Sequence, residues 1–312
     1  VQGNIHERLD ASESVWFARE LESIDTQVYQ MLFPDNKARQ LIPTQPNVPD
    51  WVKTYTWRMF EMFGTAKIAA SMADDIPRAD VTGRESSKII KAIPMAYGYD
   101  VLEIRAAMRT GTNLDSMRAT ACRFSVETGI DKVLALGDSD HNLDGLLTLS
   151  NTTSYTLADK AAGGKTWANA TSDEIAKDIF GAVTAIKNAM KNAGGPSFSS
   201  FTVVLPVAQH ADISQRRMGD GSDKTILRFV LDNSPFITSI EAWHHCDGAG
   251  ANGTDRMVVY PRTPLVLAGL VPMEYNAMPP VQQGLEYKVT ALATTGGVVV
   301  RYPVAVAYGD GL

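Results

Sequence analysis

The chain has 312 residues, 45% of them apolar and 21% charged, which suffices for a sizeable core and excludes a globally disordered polymer. Its formal net charge of -6 speaks against a coat that grips nucleic acid, because such proteins carry a basic surplus, although a mildly acidic wall can enclose DNA without holding it. Cys122 and Cys246 share no CxxC spacing, which fits a reducing compartment; no stretch reaches the ~18 apolar residues of a membrane span, and the polar segment Val1 to Asp10 has no signal-peptide h-region.

Residues 12–33 read as a helix, capped by Ser12 or Ser14, with a stripe of Val15, Ala18, Leu21, Val28 and Leu32. Pro34 stops it. Pro43, Pro46 and Pro49 favour an extended strap, so residues 1–50 read as an arm. Over 51–72, Tyr55, Trp57 and Met59 alternate with Thr56, Arg58 and Phe60 as in a strand. Asp74 to Gly83 reads as a turn and Lys88 to Pro94 as the returning strand. Together 53–96 form a two-stranded excursion that is marginal in water unless it lies on something. Val101, Ile104, Ala107 and Met108 mark a short helix closed by Gly111. Asn113 then caps a long helix to about Leu136, with Leu114, Met117, Ala121, Phe124 and Ser125 at helical spacing as its core face and Gly137 as its stop. Gly129 inside it costs ~1 kcal/mol relative to alanine and marks a bend or a tight contact.

Residues 152–170 read as a polar loop. Thr171 caps a helix over 173–191 that places Ile175, Ile179, Val183, Ile186 and Met190 on one face. Phe201 to Pro206 is a buried strand, His210 to Arg217 a short helix, and Ile226–Leu231 and Ile237–Trp243 are strand pieces. Beyond Gly253 the chain reads as short strands at Met257–Tyr260, Leu265–Leu270, Leu285–Ala293 and Val298–Ala307. The mixture of helices and strands predicts an α+β class.

Several segments carry ligand-type residues. Gly163-Gly164-Lys165-Thr166 is half of a P-loop, but the first glycine of that motif falls on Asp159, so a glycine turn is the reading. Asp140 to Gly145 begins like an EF-hand loop, yet the twelfth position is Asn151 and not a bidentate Glu, which again leaves a turn. His244-His245-Cys246-Asp247, taken as a strand, turns its two imidazoles to opposite faces. No second cluster completes a tetrahedral set, so it reads as a surface loop. There is no GxSxG, HExxH or GxGxxG, and the acids Asp74, Asp75, Asp138 and Asp140 lie in turn-like segments. No catalytic set, metal or cofactor is expected.

Two stretches carry a resemblance. One runs from Gly64-Thr65-Ala66-Lys67 through Ala73-Asp74-Asp75-Ile76-Pro77-Arg78-Ala79-Asp80-Val81 to Ala96-Tyr97-Gly98-Tyr99 and Glu103-Ile104-Arg105. The other is Ile130-Asp131-Lys132-Val133-Leu134-Ala135-Leu136-Gly137-Asp138, followed by Gly145-Leu146-Leu147 and Asn151. A helix that runs into a GD…GLL…N turn resembles the spine-helix exit of tailed-phage major capsid proteins of the Hong Kong 97 fold. The first stretch resembles a branch of that family related to encapsulin shells.

The resemblance implies an architecture for the whole chain. Residues 1–50 would be the N-terminal arm, 51–98 the E-loop, 99–155 the peripheral domain with its spine helix at about 113–136, and 156–262 the axial domain. Residues 263–312 would return as strands to the peripheral domain. On the E-loop, Tyr55, Trp57, Met59, Phe60, Phe63 and Arg78 would contact neighbouring subunits. The implied function is structural and not enzymatic: an icosahedral shell of hexamers and pentamers that encloses double-stranded DNA without specific binding. It would be part of the virion, assembled in the host bacterial cytoplasm, with portal, scaffold or decoration proteins as partners and no membrane. An encapsulin-like nanocompartment is the alternative, and a soluble metabolic enzyme a more distant one. The family's lysine–asparagine crosslink is not carried over, because Lys67, Lys88 and Lys91 lie on the hairpin without an identifiable partner asparagine or activating acid. Val1 fits either loss of an initiator or removal of a longer leader.

Overall fold

The computed structural model describes residues 35–64, 78–110, 114–219, 221 and 223–312. The chain divides into two units, Val1–Asp35 and Asn36–Leu312, and every element below belongs to the second. The helix read over 12–33, residues 74–77 of the turn read at 74–83, and the Asn113 cap lie outside the described residues, whereas Asp80 to Gly83, read as part of that turn, are strand, paired across to Phe60–Phe63. No helix among the described residues is long and apolar enough to cross a membrane.

The first elements are α1 (Ala38–Leu41), β1 (Thr54–Phe63), β2 (Asp80–Ile89), β3 (Lys91–Asp100), α2 (Val101–Thr110) and α3 (Leu114–Leu136). Next come β4 (Gly137–Asp138), β5 (Leu143–Asp144), β6 (Thr153–Tyr155), α4 (Ser172–Asn192), β7 (Phe201–Leu205), α5 (Val207–Gln215) and α6 (Ile226–Asn233). The chain continues through β8 (Ile237–Ala242), β9 (Arg256–Tyr260), β10 (Leu267–Leu270), β11 (Met273–Ala277) and β12 (Val281–Gln283). It ends with β13 (Glu286–Thr295), β14 (Gly297–Val300) and β15 (Ala307–Asp310).

The strap is extended, as its prolines require. Gly269 N donates to Pro43 O (2.9 Å) and Gln45 N to Gly269 O (2.9 Å), so the strap adds a short parallel bridge to β10. Ahead of it, Ala38, Leu41 and Ile42 are buried, and Tyr260 Oη donates to Leu41 O at 2.8 Å. Arg39 pins the same turn to α3 through Glu127 (3.1 Å) and to β11 through Glu274 (3.2 Å).

β1 and β2 form an unbroken antiparallel ribbon, from Thr54 opposite Ile89 to Phe63 opposite Asp80. The ribbon ends sooner than the sequence suggested. Ile90 is buried, its N–H donates to Lys53 O (2.9 Å), and beyond it β3 leaves to pair with β13 over its whole length. Lys91 to Pro94 is therefore not the return arm of the hairpin. Pro94 sits opposite Leu292 on β3, an edge strand of the sheet in which β13 also pairs with β11 and β12. An edge tolerates the missing N–H of proline.

α3 lies on β3 and β13. Its buried apolar residues are Cys122, Val126, Ile130 and Leu134, a four-residue repeat that follows one ridge of the helix, and Ala135 beside the last of them. This corrects the predicted face. Met117 is 43% exposed, Ala121 is exposed and Phe124 is half-buried. The physical reason is that the helix carries apolar residues all round, so two neighbouring ridges satisfy the same period. Gly129 marks no tight contact either: an added Cβ would meet Ile93 Cγ2 at 3.7 Å, ordinary van der Waals separation.

The largest sheet has the order β6-β15-β9-β7-β8. β7 is buried at every position, as its apolar run predicted. α4 covers the sheet with Ile175, Ile179, Val183, Ile186 and Met190, all buried. A capping box between Thr171 and Glu174 starts that helix, satisfying two otherwise orphaned N–H groups. Two expectations fail here. Ile226–Leu231 is helix α6, because Thr225 caps it by accepting Arg228 N (3.4 Å) and its buried residues, Ile226 and Val230, fall four apart. A short apolar run is ambiguous between strand and helix without such a cap. The final strand, β15, pairs with β9 and β6 in this sheet, so not all of 263–312 returns to the strands around β13.

Candidate assembly surface

The hairpin separates its side chains onto two faces, as the period of two requires. Tyr55, Trp57 and Met59 share one face and are half-buried, with the Tyr55 and Trp57 rings stacked at 6.1 Å. Phe60 and Met62 are on the other, 68% and 85% exposed, beside Val81 at 56%. The Phe60 ring lies over Gly83, directly opposite it. Between these apolar groups, Arg58 pairs with Glu85 at 2.9 Å and Arg84 with Glu61 at 3.8 Å.

The base of the ribbon is tied to its own subunit. Arg301 donates to Tyr55 Oη (3.3 Å) and to Gln45 Oε1 (2.9 Å), and Lys88 pairs with Asp144. Tyr55 thus has an internal role that its place among the expected contact residues did not show. Arg78 is exposed near the outer end, and the side chain of Phe63 lies outside the described residues. The sequence reading missed Met62, Val81 and Trp51, the last 78% exposed. Met62 was legible as the next residue after Phe60 on the same face.

The turn after α3 explains the GD…GLL…N pattern in physical terms. The last carbonyls of a helix lack partners within it. Here Leu146 N donates to Leu134 O (2.8 Å), Leu147 N to Ala135 O (2.9 Å) and Thr148 Oγ1 to Leu136 O (2.9 Å). Gly137 has φ +73°, and a Cβ there would run into the Leu143 carbonyl oxygen; only glycine fits. Leu146 and Leu147 are fully buried. Asp140 N donates to Asp138 Oδ1 (3.0 Å) and the chain turns at Asn142 with φ 55°, so the segment is a hairpin turn between β4 and β5.

This turn is bolted to the large sheet. Tyr308 Oη donates to Leu146 O (2.6 Å) and accepts from Leu149 N (3.0 Å). Arg256 forks onto Asp310 at 2.7 and 2.8 Å, donates to Leu147 O, and lies 4.3 Å from the Tyr308 ring centre. Burial pushes the Asp310 carboxyl up, but the Arg256 hydrogen bonds, the Ala251 N–H and the Arg256 charge together hold the group below its ordinary value.

The other motifs resolve as follows. Gly163 and Gly164 both have positive φ, and Lys160 N donates to Gly164 O at 2.8 Å, a glycine turn. Lys160 itself is buried and pairs with Asp178, which also accepts from Trp167 Nε1 (2.9 Å). His244–Cys246 is a 3-10 turn and not a strand. The argument that sent the two imidazoles to opposite faces fails with it, and their ring centres are 4.0 Å apart.

Solved structures share this fold. The capsid of Myoviridae phage XM1 matches with a TM-score of 0.82 and 19% identity, covering 96% of this chain and 100% of that one. A structure of Mycobacterium phage Bobi matches at 0.63 and 14%, covering 93% and 96%. A virus-like particle from Pyrococcus furiosus matches at 0.55 and 14%, covering 87% and 91%. The fold is that of the Hong Kong 97 type of phage capsid, as expected. No curated protein matches the sequence. The model of the major capsid protein family matches residues 64–312, and the chain, with its spine helix, its capped exit turn and its outlying ribbon, belongs to that family.

Proposed function

We propose that this major capsid protein closes into the icosahedral head of a tailed phage around double-stranded DNA, with the β1–β2 ribbon as an E-loop lying across a neighbouring subunit. One observation carries the reading. Phe60 and Met62 stand out on a ribbon whose described ties to its own subunit are at its base. Ten residues at ~3.3 Å each reach roughly 33 Å, and large apolar groups held in water at that reach call for a cover. A second copy of the chain supplies one in hexamers and pentamers.

In this reading the arm ends near residue 50. The peripheral domain is built from α2, α3, β3 and β11–β13, and the axial domain from the five-stranded sheet with α4–α6. The net charge of -6 supports a wall that does not bind duplex specifically. Portal, scaffold or decoration proteins would complete the virion during assembly in the host bacterial cytoplasm. The role is structural and we assign it no catalytic step. The likeness to phage capsids favours the head over a cargo-holding compartment. Negative-stain microscopy of the purified chain tests the proposal: closed icosahedral particles are expected, and a discrete dimer or tetramer at every concentration refutes it.

A further inference from the structure

Away from the ribbon, three metal-ligating side chains converge where the arm exit, the spine helix and the large sheet meet. Asp131 projects from α3, and His244 and His245 come from the 3-10 turn that follows β8. Asp131 is 4% exposed. Its Oδ1 accepts the Ala38 N–H at 2.7 Å, and its Oδ2 lies 2.9 Å from His245 Nε2. Among the described residues no Lys or Arg forms an ion pair with it, so a buried carboxylate is balanced only by hydrogen bonds and one imidazole. The ligand atoms of Asp131, His244 and His245 all lie within 4.8 Å of one another.

We propose that Asp131, His244 and His245 form a binding site for a divalent ion of the zinc type, with water completing the coordination. Two imidazole nitrogens and one carboxylate oxygen are a borderline donor set, which suits zinc and not the all-oxygen preferences of calcium or magnesium. Tetrahedral bonds of ~2.0–2.1 Å place donor atoms about 3.3 Å apart. An ion would therefore take the place of the 2.9 Å hydrogen bond between Asp131 and His245, with the His245 ring proton carried on Nδ1 instead of Nε2, and His244 would close inward. The surroundings are arranged for this. The Ala38 N–H fixes the carboxylate from behind, as outer-shell partners of metal ligands do, and the Trp243 ring stands edge-on to His245 at 5.4 Å. Lys37, whose ammonium donates to Ala242 O at 3.3 Å, opposes a cation here, and Asp247 offsets it. Both histidines are half-buried, which leaves an entry path from solvent. A bound ion would join two segments distant in sequence, α3 and the turn after β8.

The test uses the full chain, stripped with a chelator and titrated calorimetrically with Zn²⁺. One ion per subunit is expected, with affinity at least tenfold weaker in His244→Ala and in His245→Gln, and unchanged in His141→Ala, whose imidazole pairs with Asp138 instead. Thermal melts should rise with Zn²⁺ in the wild type and in His141→Ala alone. Should the two site variants fail to fold, X-ray absorption of the zinc-loaded wild type decides, because imidazole scattering from two ligands is then required. Absence of saturable binding, unchanged affinity in both folded variants, or a zinc shell without imidazole would overturn the proposal.

Discussion

Replacing Phe60 and Met62 together with alanine separates folding from assembly. Full burial of either side chain contributes about 1.5–3 kcal/mol. In the subunit the two are 68% and 85% exposed, so most of that contribution is unrealised until a neighbour covers them. The double variant should then lose on the order of 3–4 kcal/mol per covered ribbon, an upper figure because interfaces return less than their area suggests. At about 1.4 kcal/mol per tenfold, the protein concentration needed for assembly should rise on the order of 10²- to 10³-fold. The isolated subunit should hardly change, since substitutions at exposed sites stay within about 0.5 kcal/mol. Sedimentation across a concentration series reads the first quantity and a circular-dichroism melt the second. Particles of normal size at the wild-type concentration would show that this face meets no neighbour. A melt lowered by many degrees would show that it packs within its own subunit.

Along α3, Ile130→Ala should cost about 2–5 kcal/mol because Ile130 is fully buried; Met117→Ala should leave the unassembled subunit within about 0.5 kcal/mol in denaturant titration, and equal losses would mean that the core ridge is misassigned. Gly137→Ala should destabilise by more than about 1 kcal/mol, because it forces a side chain into positive φ against the Leu143 carbonyl, whereas Gly129→Ala should stabilise by up to about 1 kcal/mol; a neutral Gly137→Ala melt would contradict the exit geometry. Asp310 is held below its ordinary value, so its contribution is complete above the unfolded value of about 3.9 and is lost as pH falls through the lower folded value. Stability measured between about pH 5 and 2 should therefore show an acid limb that Asp310→Asn reduces, and an identical limb in the variant would remove Asp310 from the account.

Local signals were legible wherever one residue type has one physical use. The Thr171 cap, the stop at Gly137 and the buried run of β7 each follow from chemistry within a few residues, and each stands in the structure. The GD…GLL…N pattern was readable as a resemblance, but its cause was not. Nothing in the string says that the Leu146 and Leu147 N–H groups cap α3, or that Arg256 and Tyr308 reach that turn across more than a hundred residues.

By itself, then, the sequence determined the class, the stop of α3 and the start of α4, the alternation of the ribbon and the family. Tertiary structure decided what period alone leaves degenerate. α3 offers two apolar ridges, and contact with β3 and β13 selects the one bearing Val126 and Ile130. Residues 91–100 have the same extended pattern as 80–89, and only a partner strand from the far end of the chain takes β3 out of the ribbon. His244 and His245 point apart on a strand and together on a 3-10 turn, and Asp131 reaches them from a helix more than a hundred residues earlier. The physical reason is common to all three. Backbone periodicity is set by neighbours a few residues away, whereas the choice of face, partner and register depends on apolar surface and unpaired backbone groups supplied by remote parts of the chain.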